Sequence, residues 1–232
     1  ANSPPGVFSH PARPHSAVKI TFHPHVSQLR KLAFRQQSII PKVRVIGPVG
    51  AHTDYRWAGF LATEAMTAAA SHDAYVIQKI NQAEAIWFAG GDQWDYVSQF
   101  RNSPLSIAIN NAITQRNIVI GGTSAGMAIM GEYYFSAQNG TITSTTALNN
   151  PYDSNATISN TAFLNNIHLQ QTITDTHFDS PDRKGRISSF MARIYTDTGI
   201  AIKAIACDEY TAVCINPNGM ARVYGDHPSN DD

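Results

Sequence analysis

Apolar residues in this chain fall in short clusters whose spacing changes character repeatedly, and that change is the first guide to its elements. Residues 43–46, Val-Arg-Val-Ile, read as a strand that ends in Gly47-Pro48-Val49-Gly50, followed by a loop and a helix over 57–70. Residues 74–80 read as a second strand and 82–84 as a turn. Residues 85–88 form a third strand that runs straight into Ala89-Gly90-Gly91-Asp92-Gln93. A helix over 94–100 follows, then one opened by Pro104 and reaching about 115, then a short buried strand at 118–120. Upstream, 26–38 has helical spacing, with Leu29, Leu32 and Ala33 on one face. Downstream, 136–160 is polar and reads as a loop region, and 172–176 as a strand end. Ile187, Phe190 and Ile194 make the apolar stripe of a helix that also carries Arg183, Arg186 and Arg193. The last third alternates like a pair of β-hairpins, with Pro217-Asn218-Gly219 as a turn.

Strands alternating with helices predict an α/β fold: a mainly parallel sheet flanked by helices on both faces, with a C-terminal β extension. A chain of 232 residues supports one large domain. Residues 1–25 hold five of the twelve prolines without periodicity, so they read as an irregular N-terminal arm, and 26–232 as a single domain. In such sheets, sites form beyond the carboxyl ends of strands. The Gly-rich turns at 90–93 and 121–126 both lie at strand ends and can converge on one crevice.

Composition narrows the partners. With 43% hydrophobic and 15% charged residues and zero formal net charge, the chain is of globular type and carries no basic run of the kind that holds nucleic acid. No apolar stretch is long enough to span a membrane. Cys207 and Cys214 lie in apolar runs and read as core residues, neither a disulfide framework nor a zinc site. The histidines of the arm (His10, His15, His23, His25) lack ligand spacing, so no metal and no other cofactor is expected. The sequons at Asn139 and Asn155 and the sparse charge lean toward a secreted or periplasmic protein over a cytoplasmic one.

The chemistry centres on 118–135, IVIGGTSAGMAIMGEYYF. A strand, a turn of the form G-x-S-x-G and a small-residue helix lift the Ser124 hydroxyl out of the backbone and leave the next amide, that of Ala125, open to an oxyanion. A Gly-rich strand end whose serine caps a helix has the same letters. A nucleophilic serine needs a base, and His177 follows a strand end in a polar run with Asp175 and Asp179. The base needs an orienting acid. Asp208 and Glu209 sit between two apolar runs, as buried flank acids of which side-chain alternation sends only one toward the site.

Taken together, FAGGDQ (88–93), GGTSAG (121–126), TDTHF (174–178), DRKGRI (182–187) and DEYTAV (208–213) resemble the motifs of the cyanophycinase-like serine peptidases, relatives of aspartyl dipeptidase, in order over about 43–225. The resemblance implies a class I glutamine-amidotransferase-like (flavodoxin-like) fold and a Ser-His-Glu triad of Ser124, His177 and Glu209. It implies an oxyanion hole from the Gly91 and Ala125 amides. Gln93, Asp175 and Arg183 match residues lining the family's substrate site. Asp92 stands beside them, either at the substrate or as the cap of the helix that follows. The partner implied is a small peptide substrate; the reading admits a homodimer and includes neither nucleic acid nor membrane.

Two features depart from the family pattern. Ser180 and Pro181 stand where a glutamine and an arginine often follow the histidine, and no Gly-rich strand precedes Val43. These changes leave the hydrolytic chemistry in place and count against cyanophycin itself. Two other readings remain: an α/β-hydrolase esterase using Ser124, Asp208 and His227, and a non-catalytic binding domain on the same fold.

Overall fold

The computed structural model describes residues 70–225, together with the backbone of the strand at 43–46. All of these belong to one compact unit, Ile40–Asp232. The arm at 1–25, the helices expected at 26–38 and 57–70, and His227 lie outside the described residues, apart from the last residue of the second helix.

Strand β1 (Val43–Ile46) pairs in parallel with β2 (Ala85–Phe88), and β2 pairs in parallel with β3 (Val119–Gly122). The register sets Ile46 opposite Phe88 and Phe88 opposite Gly122, so the Gly-rich turns after β2 and β3 emerge side by side from one edge. The apolar run before the second turn is only partly covered: Val119 is exposed and Ile120 half-buried.

Between β1 and β2, the expected strand at 74–80 is helix α1 (Ala74–Asn81). The Asp73 carboxylate caps it, accepting from the amides of Tyr75 (2.7 Å) and Val76 (3.1 Å). Val76 and Ile80, four residues apart, are buried, while Tyr75 is exposed. The β-branched residues that suggest a strand thus serve a helical period.

Helix α2 (Gln93–Phe100) and helix α3 (Pro104–Thr114) join β2 to β3. Ser103 and Ser106 form a reciprocal capping box at the start of α3, with Pro104 in its first turn. Phe88, Tyr96, Phe100, Ile109 and Phe163 fill one core, with Phe88 edge-on to Tyr96 at 5.9 Å.

A second core gathers beneath helix α6 (Lys184–Thr198). The chain from β3 to α6 includes α4 (Ala125–Ala128), the short antiparallel pair β4 (Tyr134–Phe135) and β5 (Ile158–Ser159), and helix α5 (Ser144–Asn149). The loop expected over 136–160 therefore contains a helix. Thr143 caps α5, Ala147 is fully buried, and the Ser189 hydroxyl of α6 donates to the Ala147 carbonyl at 2.7 Å. The apolar stripe of α6, Ile187, Phe190 and Ile194, is buried as expected, and Phe190 stacks on Phe135 at 5.2 Å.

Strand β6 (Thr172–Thr176) pairs in parallel with β7 (Lys203–Cys207). Among the described residues only β8 (Thr211–Ile215) and β9 (Ala221–Gly225) form a hairpin, turning at 216–220. The expected pair of hairpins reduces to one, because α6 carries the chain back across β6 and makes β7 a parallel neighbour. Cys207 is buried, whereas Cys214 is exposed on the hairpin.

The two parallel sheets meet at a seam. The Thr174 hydroxyl donates to the Ala128 carbonyl at 3.2 Å and accepts from the Gly131 amide at 3.1 Å. It thereby satisfies a carbonyl at the end of α4, which is only one turn long. Tyr133 adds a single parallel bridge to Ile173.

Candidate active site

The turn after β3 is tight and strained. Ser124 has φ 50° and ψ −122°, a conformation that costs a residue with a side chain about 1–3 kcal/mol and persists only where the surroundings impose it. Here they do. The Thr123 amide donates to the Phe88 carbonyl at 3.1 Å, and the amides of Met127 and Ala128 both close on the Ser124 carbonyl at 2.9 Å. Gly126 packs so closely on β2 that a Cβ there would overlap the Phe88 carbonyl. The Ser124 side chain makes no capping bond to its own helix, so the helix-cap reading of this serine does not hold.

Instead Ser124 Oγ lies 3.1 Å from His177 Nε2. His177 is the first residue beyond β6 and has φ 55°. Its loop is tied to β7 by a bond from the Phe178 amide to the Cys207 carbonyl. The other ring nitrogen, Nδ1, lies 2.6 Å from Glu209 Oε1. A carboxylate at that nitrogen favours the tautomer with its proton on Nδ1, which leaves Nε2 free to accept from the serine hydroxyl.

The acid beside His177 is Glu209, and its setting differs from the expected one. Asp208 and Glu209 lie in the tight turn between β7 and β8, not in a strand, and Glu209 is about half exposed, with a side-chain exposure of 48%. Asp208 makes no hydrogen bond to the imidazole. Its carboxylate accepts from the amides of Asp179 (3.1 Å) and Glu209 (3.0 Å), bracing the loop that carries His177 against the turn that carries Glu209. A hydrogen bond shared with the Glu209 side chain, supported by backbone amides, holds the Asp208 carboxyl below its ordinary range.

Gly90 and Gly91 close the other side. A Cβ on Gly90 would stand 3.2 Å from Ser124 Cβ, and Gly91 has φ 142°, open to glycine and rare for other residues. The amides of Gly91 and Ala125 have no acceptor among the described residues.

The four residues expected at the substrate fare differently. Asp92 caps α2, accepting from the Trp94 amide at 2.8 Å. Gln93 donates from Nε2 to the Phe135 carbonyl at 3.3 Å and is half-buried. Arg183 stands at the start of α6, half-buried, with Nη1 reaching the Thr176 carbonyl at 3.4 Å. Burial, and then the neighbouring charge of Arg186, lower its proton affinity.

Asp175 is the correction. It is 2% exposed, and its two oxygens accept from Arg186 Nε at 2.8 Å and Nη2 at 2.5 Å. It is therefore committed to Arg186 and not open to a substrate. Arg186 in turn pairs with this strand residue, not with an acid of its own helix, and its guanidinium lies 4.9 Å from the Phe135 ring centre. The signal in the sequence is that Arg186 falls on the buried stripe of its helix, four residues before Phe190. An arginine placed there demands an acid from another element.

A model of peptidase family S51 matches residues 52–222, well over half of the chain. Among solved structures, a protein described as a peptidase E from Listeria monocytogenes superposes with a TM-score of 0.50 at 15% identity, covering 86% of this chain and 93% of that one. A peptidase from an acI-B1 actinobacterium superposes at 0.49 with 16% identity, covering 79% and 74%. No curated protein matches.

Proposed function

The chain belongs to peptidase family S51 and is a serine peptidase, and from that premise we propose that it hydrolyses short, polar, aspartyl-type peptides, as an exopeptidase or isopeptidase, through an acyl-enzyme on Ser124. The observation that carries this reading is the continuous relay from Ser124 Oγ through the His177 ring to Glu209. The class I glutamine-amidotransferase-like fold belongs to the same proposal, with the β8–β9 hairpin as its C-terminal extension.

In this mechanism the Ser124 Oγ bonds to the scissile carbonyl carbon while its proton passes to His177 Nε2. The charge that develops on the carbonyl oxygen is met by the Gly91 and Ala125 amides. Glu209 keeps the ring oriented and favours the imidazolium. The carbon–nitrogen bond then breaks as Nε2 returns its proton to the leaving amine. Water repeats the sequence in reverse roles, giving the free acid and restoring the serine.

Arg183 supports the choice of substrate. Among the described residues it makes no ion pair with a carboxylate, and a carboxylate is the group its planar fork suits best. Asp175 has no part in recognition, and Ser180-Pro181 supply no second arginine. Cyanophycin is accordingly expected to be a poor substrate.

The test offers purified protein a fluorophosphonate probe, α- and β-aspartyl dipeptides, cyanophycin and p-nitrophenyl butyrate, with Ser124→Ala as the blank. Labelling at Ser124 with Ser124-dependent aspartyl-peptide hydrolysis is expected. Rapid cleavage of cyanophycin overturns the specificity. Activity confined to the ester moves the site toward an esterase, and absence of labelling removes the nucleophile.

A further inference from the structure

A cleft of about 490 Å³ runs between α2 and the β4–β5 pair, within the size range of small-ligand sites. It begins next to Gln93, one of the residues expected at the substrate: Trp94 follows Gln93, Ser136 follows Phe135, and Gln93 and Phe135 are hydrogen-bonded to each other. Its wall along the helix is Trp94, Ser98 and Arg101, spaced by four and three residues and so on one face. The opposite wall carries neutral polar groups such as Gln138 and Ser159 beside Ile158.

Among the described residues, Arg101 is the only charged one in the lining. Its Nη1 donates to the hydroxyls of Tyr134 (3.2 Å) and Ser159 (3.4 Å), and its Nε is buried without an acceptor. No carboxylate pairs with it among the described residues. A guanidinium held by neutral hydroxyls at the wall of an open cleft lacks the ionised acceptor that suits it best.

We infer that this cleft is an extended subsite for the leaving side of the peptide, with Arg101 receiving its terminal carboxylate. The inference rests on the scissile bond lying at Ser124. From Trp94 to Arg101 the helical rise is about 10 Å, which about three extended residues span. The preferred substrate is therefore a peptide with a free carboxylate at least about three residues beyond the scissile bond, longer than a dipeptide.

The experiment measures binding in the full chain carrying Ser124→Ala, so that it does not depend on hydrolysis. The ligands are Asp-Ala-Ala-Ala as free acid and as C-terminal amide, with Asp-Ala in the same two forms. The tetrapeptide acid is expected to bind about tenfold more tightly than its amide, with no such difference for the dipeptide. Arg101→Gln brings the acid to the level of the amide, and Arg101→Lys retains part of the preference. Ser98→Trp, which narrows the cleft from its exposed rim, weakens the tetrapeptide in both forms. Equal binding of acid and amide, a preference that survives Arg101→Gln, or unchanged binding in Ser98→Trp overturns the inference. Acid-selective binding alongside a native chain that hydrolyses nothing removes the Ser124 reading and leaves the cleft standing.

Discussion

Replacing Arg186 with methionine separates a buried structural pair from a substrate contact. The pair is almost wholly enclosed, with side-chain exposures of 1% for Arg186 and 3% for Asp175. Removing the guanidinium while keeping the volume leaves a carboxylate with its amide bond from Thr176 and no counter-charge. Breaking a buried pair from one side costs about 3–5 kcal/mol. At about 2–4 °C per kcal/mol for a chain of this size, the melting temperature should fall by roughly 6–20 °C. The double variant Arg186→Met with Asp175→Asn keeps an oxygen for the Thr176 amide and removes the orphaned charge, so it should recover at least half of the loss. Circular dichroism melts give the stabilities, and fluorophosphonate labelling of Ser124 well below the lower melting point gives the integrity of the site. If Arg186→Met melts within about 1 °C of the native protein while KM for an aspartyl peptide rises more than tenfold, the pair contacts substrate and the reasoning fails.

Glu209→Gln should lower kcat/KM for an aspartyl peptide by about 10²- to 10⁴-fold with little change in KM, because the amide does not favour the imidazolium; an effect below threefold removes Glu209 from the proposed triad. Gly90→Ala sets a methyl 3.2 Å from Ser124 Cβ, and about a tenfold or larger loss of labelling rate is expected at an unchanged melting temperature. The Asp208 carboxyl is held below its ordinary range, so the stability it lends is complete above its unfolded value near 4 and is lost as pH falls through its lower folded value. Melts between pH 6 and 2.5 should therefore show a shallower acid decline in Asp208→Asn, and superimposable curves would contradict the brace.

The parts of this protein legible in its sequence are those in which local chemistry and tertiary role agree. Residues 85–88, followed by Gly90-Gly91, and 119–122, followed by the serine turn, announce themselves as strand ends because their glycines are required by close backbone approach. Residues 74–80 mislead because valine and isoleucine suit either period, and the deciding group, the Asp73 cap, lies outside the apolar run. Helix α5 hides in a polar stretch because its stability comes from packing on α6 more than from its own propensity. Asp175 illustrates the limit most clearly: a motif match places it at the substrate, and only the fold brings Arg186 within reach of both its oxygens.

The seam between the sheets has a consequence of its own. Ser124 rides on the β1–β2–β3 sheet, whereas His177 and Glu209 ride on the β6–β7 pair, so the 3.1 Å contact between hydroxyl and imidazole behaves as a caliper whose two jaws are separate sheets. A slide of about an ångström between the jaws would part nucleophile from base while leaving every strand intact. Thr174, hydrogen-bonded to both Ala128 and Gly131, is the screw that sets the opening. On gentle warming the protein should therefore lose its reactivity before its secondary structure, and Thr174→Val should bring that loss to a lower temperature.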